Sequence, residues 1–182
     1  MDYALYIFGG LALVTNFIGY RQNTINRYRF VSAFALAFLG AHFFILGALA
    51  ASISLWLGAV RNIVAIRYQQ VWVLYLFVLL NIGFCLFEWF ILQNSALLFI
   101  AYASSLVFTI GSIVLKSAAS IRRWFVLAEG LGLIYAIAVG SVFGVLFNIS
   151  NFTSIFTKMR NDRRDRQQAS QNAQEVKVVG RK

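Results

Sequence analysis

The residues of this chain that could do chemistry are polar side chains embedded in apolar segments. Arg61 and Asn62 stand side by side in the middle of LGAVRNIVAIR, residues 57–67. Asn148 and Asn151 are three residues apart, which places both amides on one face of a helix. An arginine at the centre of a bilayer costs about 2.5–3.5 kcal/mol on insertion scales. We therefore expect Arg61 to face a protein interior or a wet cavity.

Arg61 also needs a partner at its own depth, and two acidic residues fall within apolar segments. Glu129 is predicted to lie on the same side of the bilayer centre as Arg61, whereas Glu88 lies toward the other side. Glu129 is therefore the preferred partner. Two interpretations carry equal weight: a charged gate or solute-carboxylate anchor, and a static ion pair that locks two helices together.

A histidine and two aromatic residues complete the candidate set. An imidazole titrates in the physiological range, so His42 could couple to protons, but a hydrogen bond between helices is the favoured interpretation. Trp56 is the aromatic residue that we expect to stack on a solute, with anchoring at the membrane interface as its alternative. The candidate substrate-binding residues are Arg61, Asn62, Asn148, Asn151 and Trp56, and the candidate charge-partner or gating residues are Glu129, His42 and Tyr135.

The remaining buried polar residues are expected to hydrogen-bond between helices, where such bonds stabilise by about 0.6 kcal/mol on average. They are Asn16, Asn81, Thr15 and Thr109.

The elements that position these residues follow from the composition, which is 60% hydrophobic and 12% charged over 182 residues. A soluble domain of this length would need more polar surface. Apolar runs of about 20 residues match a hydrocarbon layer of about 30 Å when they are helical, and helices satisfy their backbone internally. We predict an all-α integral membrane protein with seven spans, at residues 3–20, 30–48, 51–68, 71–91, 96–115, 123–139 and 142–158. The tail, 159–182, is polar and basic and is predicted to be disordered.

The distribution of charge predicts the orientation of the chain. With seven spans, all sixteen Lys and Arg residues except Arg61 fall on one side of the membrane. Basic residues favour the cytoplasmic side, so the N-terminus is expected outside and the C-terminus inside. The net charge of +10 follows this pattern and does not indicate nucleic-acid binding.

The chain also shows an internal repeat when it is shifted against itself by 93 residues. The shift predicts two three-helix units in parallel orientation, 3–68 and 96–158, joined by a linker helix at 71–91; parallel repeats of this kind occur in transporters. Chance similarity of two helical hairpins with glycine turns is the alternative. The glycines are expected mainly to end the helices that precede them. The matched pairs are Arg29 with Arg122, His42 with Tyr135, Gly47 with Gly140, Ala51 with Gly144 and Arg67 with Arg160.

Three segments resemble a known family: AHFFILG at 41–47, SISLWLGAVRNIVAIR at 52–67 and FNISNF at 147–152. They resemble the YgjV-type bacterial inner-membrane proteins, which are related to the MtN3/SWEET/PQ-loop superfamily. The resemblance implies a multi-pass protein of the bacterial inner membrane with a three-plus-one-plus-three helix layout. SWEET-type relatives hold a sugar with asparagines of the third and seventh helices, which implies that role for Asn62, Asn148 and Asn151. The chain contains no proline, so the PQ motif and the hinge prolines of those transporters are missing.

These observations predict a transporter or facilitator of a small polar solute, with its site between the two repeats. The alternative is a non-transporting membrane protein, such as a receptor, assembly factor or structural partner, that acts through the basic tail. An enzyme is not expected, because there is no Cys/His dyad, no pair of acids at catalytic spacing and no metal-ligand cluster. No cofactor is expected. The bilayer is the expected partner, and a homo-oligomer is the alternative to a single chain that encloses the pathway alone.

Overall fold

The computed structural model describes residues 2–22, 24–68, 70–115 and 118–179. No strand occurs within these ranges, so the prediction of an all-α protein is confirmed. The described residues form seven helices, which are α1 Asp2–Tyr20, α2 Ile25–Ile45, α3 Leu49–Arg67, α4 Val71–Phe90, α5 Leu98–Val114, α6 Ala118–Ala138 and α7 Val142–Val179.

In the part of the chain that the structure describes, three segments are long and apolar enough to cross a membrane, namely Asn26–Ile45, Leu49–Arg67 and Val71–Phe90. Two shorter apolar helices, Tyr3–Gly19 and Leu98–Val114, accompany them. Length and composition thus support a membrane protein, while the number of seven crossings stays a prediction.

Some helices extend beyond the predicted apolar spans. The α2 helix begins at Ile25 and not at residue 30, and α6 begins at Ala118 and not at residue 123. The α7 helix continues to Val179, so the tail that was predicted to be disordered is helical up to that residue. The physical reason is that Arg, Lys, Gln, Glu and Ala are good helix formers, and no glycine or proline interrupts residues 145–179.

The helices pack into a ring of six. The ring contains two triplets of consecutive helices, α1–α3 and α5–α7. In each triplet the middle helix contacts both neighbours: α2 packs on α1 and α3, and α6 packs on α5 and α7. Contacts of α3 with α5 and of α1 with α7 close the ring. The α4 helix packs against α3 and α5. The buried core between the helices combines alanines with a few large side chains, among them Leu39, Phe43, Leu98, Tyr102, Tyr135 and Phe147.

The α2–α3 and α6–α7 turns have the same geometry. Gly47 and Gly140 end the preceding helices with φ of +82° and +70°, in the left-handed region. In the first turn the N–H of Ala48 donates to the carbonyl of Phe43 at 2.9 Å, and the bond 93 residues later has the same length. This is the Schellman arrangement, and it confirms the predicted role of both glycines. The same shift carries the bounds of α2 onto those of α6.

Candidate functional site

A cavity of about 270 Å³ lies inside the ring of six helices. Every ring helix contributes to its wall, whereas α4 contributes none of the described residues. Sites for drug-sized ligands occupy about 300–1,000 Å³, so this cavity suits a smaller solute. Its polar lining residues are Asn16, Tyr28, Arg29, Ser32, Ser54, Arg61, Asn62, Ser104, Ser105, Ser112, Glu129, Tyr135, Asn148 and Asn151.

The two ends of the cavity differ in burial. Half-buried Tyr28, Arg29 and Asn62 line it where α2 begins and α3 ends, which we name the basic end. At the opposite end Phe43 and Tyr135 are both buried, and their rings meet edge to face with centroids 6.1 Å apart. The aromatic contact closes the cavity at that end, whereas half-buried polar side chains line the basic end.

Arg61 forms part of the cavity wall on α3 and is only 6% exposed. Its Nη1 donates a 2.8 Å hydrogen bond to Thr109 Oγ1 on α5. Its Nη2 donates a longer bond, 3.4 Å, to Asn62 Oδ1. The buried Nε has no hydrogen-bond partner among the described residues. Because a guanidinium carries five N–H donors, Arg61 keeps donors for a further acceptor.

Glu129 faces the same cavity from α6 and is 4% exposed. Its Oε1 accepts a 2.8 Å hydrogen bond from Asn151 Nδ2. Asn151 Oδ1 in turn accepts a 2.7 Å bond from Asn16 Nδ2, which links α7 to α1. The described residues supply no hydrogen-bond partner for Glu129 Oε2, so this oxygen keeps its acceptor capacity.

Arg61 and Glu129 form no ion pair with each other within the described part of the chain. Arg61 bonds to Thr109 and Asn62, and Glu129 bonds to Asn151. The reason lies in the packing order, since α3 contacts α5 in the ring and α6 lies beyond α5. A static lock between the two charges is therefore not the arrangement found; both charges face a common cavity.

The three asparagines implied by the resemblance all line the cavity. Asn62 Nδ2 donates a 3.2 Å hydrogen bond to Ser32 Oγ on α2. Asn148 Nδ2 donates to the carbonyl of Gly144 at 2.7 Å. The Oδ1 of Asn148 lies 2.7 Å from the point that a Cβ at Gly132 would occupy, so a glycine at that position is what lets this amide sit against α6.

The family model Imp-YgjV, described as bacterial inner membrane protein, matches residues 3–166. The chain belongs to this family. Neither the curated proteins nor the solved structures gave a match. The family match covers the helix ring and places the Imp-YgjV chain in a bacterial inner membrane.

Trp56 lies outside the cavity of this Imp-YgjV protein, so its predicted role in stacking on a solute is not supported. The side chain is 39% exposed, and its Nε1 donates a 3.2 Å hydrogen bond to the carbonyl of Ala37. At 100° per residue, Trp56 falls on the face of α3 opposite to the cavity-lining positions. Those positions are Ala51, Ser54, Leu55, Gly58, Arg61 and Asn62.

His42 is buried next to the closed end and also does not line the cavity. Its Nδ1 lies 3.0 Å from the carbonyl of Leu5 on α1, and its Nε2 lies 2.8 Å from Ser141 Oγ between α6 and α7. Because a carbonyl can only accept, Nδ1 carries a proton. His42 thus forms hydrogen bonds between elements, which was the favoured interpretation of this residue. Tyr135, its counterpart in the repeat, does line the cavity.

Two of the residues expected to bond between helices do so, namely Asn16 and Thr109. Asn81 differs, because its amide donates to the carbonyl of Phe77 in its own helix at 2.7 Å. The serines of the cavity wall were not predicted from the sequence. The signal that could have found them is a run of small polar residues at helical spacing, as in Ser104, Ser105 and Ser112 of α5.

Proposed function

We propose that this Imp-YgjV protein binds a small polar solute in the central cavity and carries it across the inner membrane. One observation supports this most strongly: Arg61 is buried, lines the cavity and has a buried Nε without a protein partner. An intramembrane charge is costly and is usually compensated or used in function. A polar solute in the cavity would supply the missing acceptor.

The proposal includes two like-oriented triplets, α1–α3 and α5–α7, with α4 as the linker. The equal spacing of helix bounds and the two matching glycine turns support a duplication. The excess of basic residues supports an orientation with the basic end in the cytoplasm and the N-terminus in the periplasm. In that orientation the cavity is accessible from the cytoplasm, and separation of Phe43 from Tyr135 would open it to the other side.

Cysteine labelling tests this orientation. In a Cys85→Ser background, Ser95→Cys lies on the α4–α5 loop and Ser112→Cys lines the basic end of the cavity. We expect a membrane-impermeant maleimide to label Ser95→Cys from outside the inner membrane and Ser112→Cys only after the membrane is opened. The reverse pattern would contradict the proposed orientation.

A metabolite screen tests solute binding. The protein in nanodiscs is heated with single metabolites, and each solute that raises the unfolding temperature is then tested for uptake into proteoliposomes. We expect responses in wild type and in the matched control Arg67→Gln, an exposed arginine at the end of the same helix, but not in Arg61→Gln. If Arg61→Gln responds like wild type, Arg61 does not hold the solute.

The alternative, a non-transporting protein that acts through its basic tail, makes a different prediction for a truncation after Arg160. Under our proposal uptake into proteoliposomes continues without residues 161–182. Under the alternative, the phenotype of cells that lack the protein is restored only by a chain that contains residues 161–182, and the Arg61→Gln variant restores it like wild type.

A further inference from the structure

The two triplets contribute opposite charges to the cavity wall. Arg29 and Arg61 come from the first triplet, and Glu129 comes from the second. The repeat does not explain this pattern, because a shift of 93 residues places Ser154 at the position of Arg61 and Leu36 at that of Glu129. The cavity therefore has a cationic wall and an acidic wall built on equivalent scaffolds.

Both walls hold charged side chains whose hydrogen-bond partners in the protein are neutral. Arg61 bonds to a hydroxyl and an amide, and its Nε is unpartnered within the described residues. Glu129 accepts from one amide through Oε1 and keeps Oε2. Buried charges are stable when they are paired with an opposite charge. The hydrogen-bonding groups left unused on the two walls therefore suit an anion at Arg61 and a cation at Glu129.

We infer that the solute is a small zwitterion of the amino-acid class, whose carboxylate binds Arg61 and whose ammonium group binds Glu129. This inference rests on the proposed function. A carboxylate accepts two parallel N–H bonds from a guanidinium. An ammonium group has three donors, which suit Glu129 Oε2 and the free Oδ1 of Asn148 on the same side of the cavity.

Other classes of small solute satisfy only part of this site. A neutral sugar offers hydroxyls but leaves both buried charges without counter-charge. A simple carboxylate pairs Arg61 and leaves Glu129, whereas a simple amine does the reverse. A zwitterion adds one charge of each sign and leaves the net charge of the cavity unchanged.

Arg29 lies half-buried at the basic end of the cavity, where it donates a 2.7 Å hydrogen bond to the carbonyl of Ala65 and faces the solute on entry.

Matched probes test the chemical class. The probes are L-alanine with propionate and ethylamine, L-leucine with 4-methylpentanoate and 3-methylbutylamine, and glucose as the neutral solute. Binding to the protein in nanodiscs is measured by calorimetry and by the shift in unfolding temperature. We expect an amino acid to bind about ten- to a hundredfold more tightly than its analogue without the amine or the carboxylate, since each loses one charged hydrogen-bond pair.

Variants test which side chain binds the carboxylate of the solute and which binds its ammonium group. Arg61→Gln should weaken binding of the amino acid and the carboxylate but not of the amine. Glu129→Gln should reduce the affinity for the amino acid to that for the carboxylate. The controls are Arg67→Gln, exposed at the end of α3, and Glu88→Gln, a fully buried glutamate outside the cavity. If Arg61→Gln fails to fold, Glu129→Gln still tests the zwitterion. The glutamine keeps a carbonyl oxygen that can accept the hydrogen bond of Asn151, so we expect this variant to fold.

The outcomes separate the inference from the proposed function. Glucose binding that is lost in Arg61→Gln would overturn the zwitterion and leave solute binding in the cavity intact. Equal affinity of wild type for an amino acid and its carboxylate analogue would also overturn it. A metabolite screen without any ligand that depends on Arg61 would overturn both.

Discussion

Asn151 donates a 2.8 Å hydrogen bond to Glu129 and holds one carboxyl oxygen against the wall of the cavity. Asn16 bonds to the same asparagine from α1, and Thr109 bonds to Arg61 from α5. Asn16 and Thr109 are 93 residues apart, which is also the spacing of the two glycine turns. The α1–α7 contact and the α3–α5 contact thus each carry a hydrogen bond that positions, directly or through one amide, a charged residue of the cavity.

Removal of the α1–α7 hydrogen bond should reduce the stability of the protein. Asn16→Ala leaves the Oδ1 of Asn151 without its donor, and hydrogen bonds between membrane helices stabilise by about 0.6 kcal/mol on average. We expect a loss of about 1 kcal/mol in the free energy of unfolding, measured by denaturation in detergent micelles. Asn26→Ala, an exposed asparagine of α2, is the control and should leave stability unchanged. Equal stability of the two variants would contradict the structural role of this bond.

The two turn glycines should be equally sensitive to substitution. Gly47→Ala and Gly140→Ala each force a Cβ into the left-handed region, at a cost of about 1–2 kcal/mol. Gly10→Ala is the control, because it lies within α1 and its Cβ would meet nothing within 4 Å. Alanine is the better helix former, so this variant should be neutral or more stable. Thermal unfolding in detergent measures all three, and a large difference between the two turn variants would contradict their equivalence.

A methyl group at Gly132 should disturb the cavity without disturbing the rest of α6. Its Cβ would lie 2.7 Å from Asn148 Oδ1, so the amide must move. Overpacking of this kind costs about 1–3 kcal/mol, and we expect Gly132→Ala to weaken solute binding by about tenfold. Gly130→Ala is the matched control two residues away, where the new Cβ meets Phe152 at an ordinary 3.9 Å. Calorimetry with the solute identified by the screen compares the two, and equal affinities would show that Asn148 does not contact the solute.

Glu88 should contribute to stability and not to solute binding. It is fully buried outside the cavity, where it accepts hydrogen bonds from Tyr102 at 2.5 Å and from Asn94 at 2.8 Å. A hydrogen bond to a charged group contributes about 1.5–3 kcal/mol, so Tyr102→Phe should lower the free energy of unfolding by that order. Solute affinity should stay at the wild-type value. Tyr75→Phe, an exposed tyrosine of α4, is the control for the loss of a hydroxyl. A Tyr102→Phe variant with normal stability but weaker solute binding would contradict this assignment.

The sequence by itself determined the class of the protein and the two glycine turns that follow α2 and α6. Apolar runs in a lipid solvent leave the backbone no partner but itself, so helices follow from composition alone. Gly47 and Gly140 could be recognised as helix ends because the left-handed conformation is a local property of the residue. The burial of Arg61 in a helix interior could be anticipated for the same reason, since position along an apolar run needs no knowledge of neighbouring helices.

Only the tertiary structure decided which side chains meet. Arg61 bonds to Thr109 and not to Glu129 because α5 packs beside α3, and the order of helices around a ring has no signature in local sequence. Trp56 lies away from the cavity because the face that α3 turns inward is set by its neighbours. The partner of a buried side chain and the face that a helix turns inward both depend on packing between segments that are distant in sequence. For that reason the depth of a residue in the membrane and its type were insufficient to predict them.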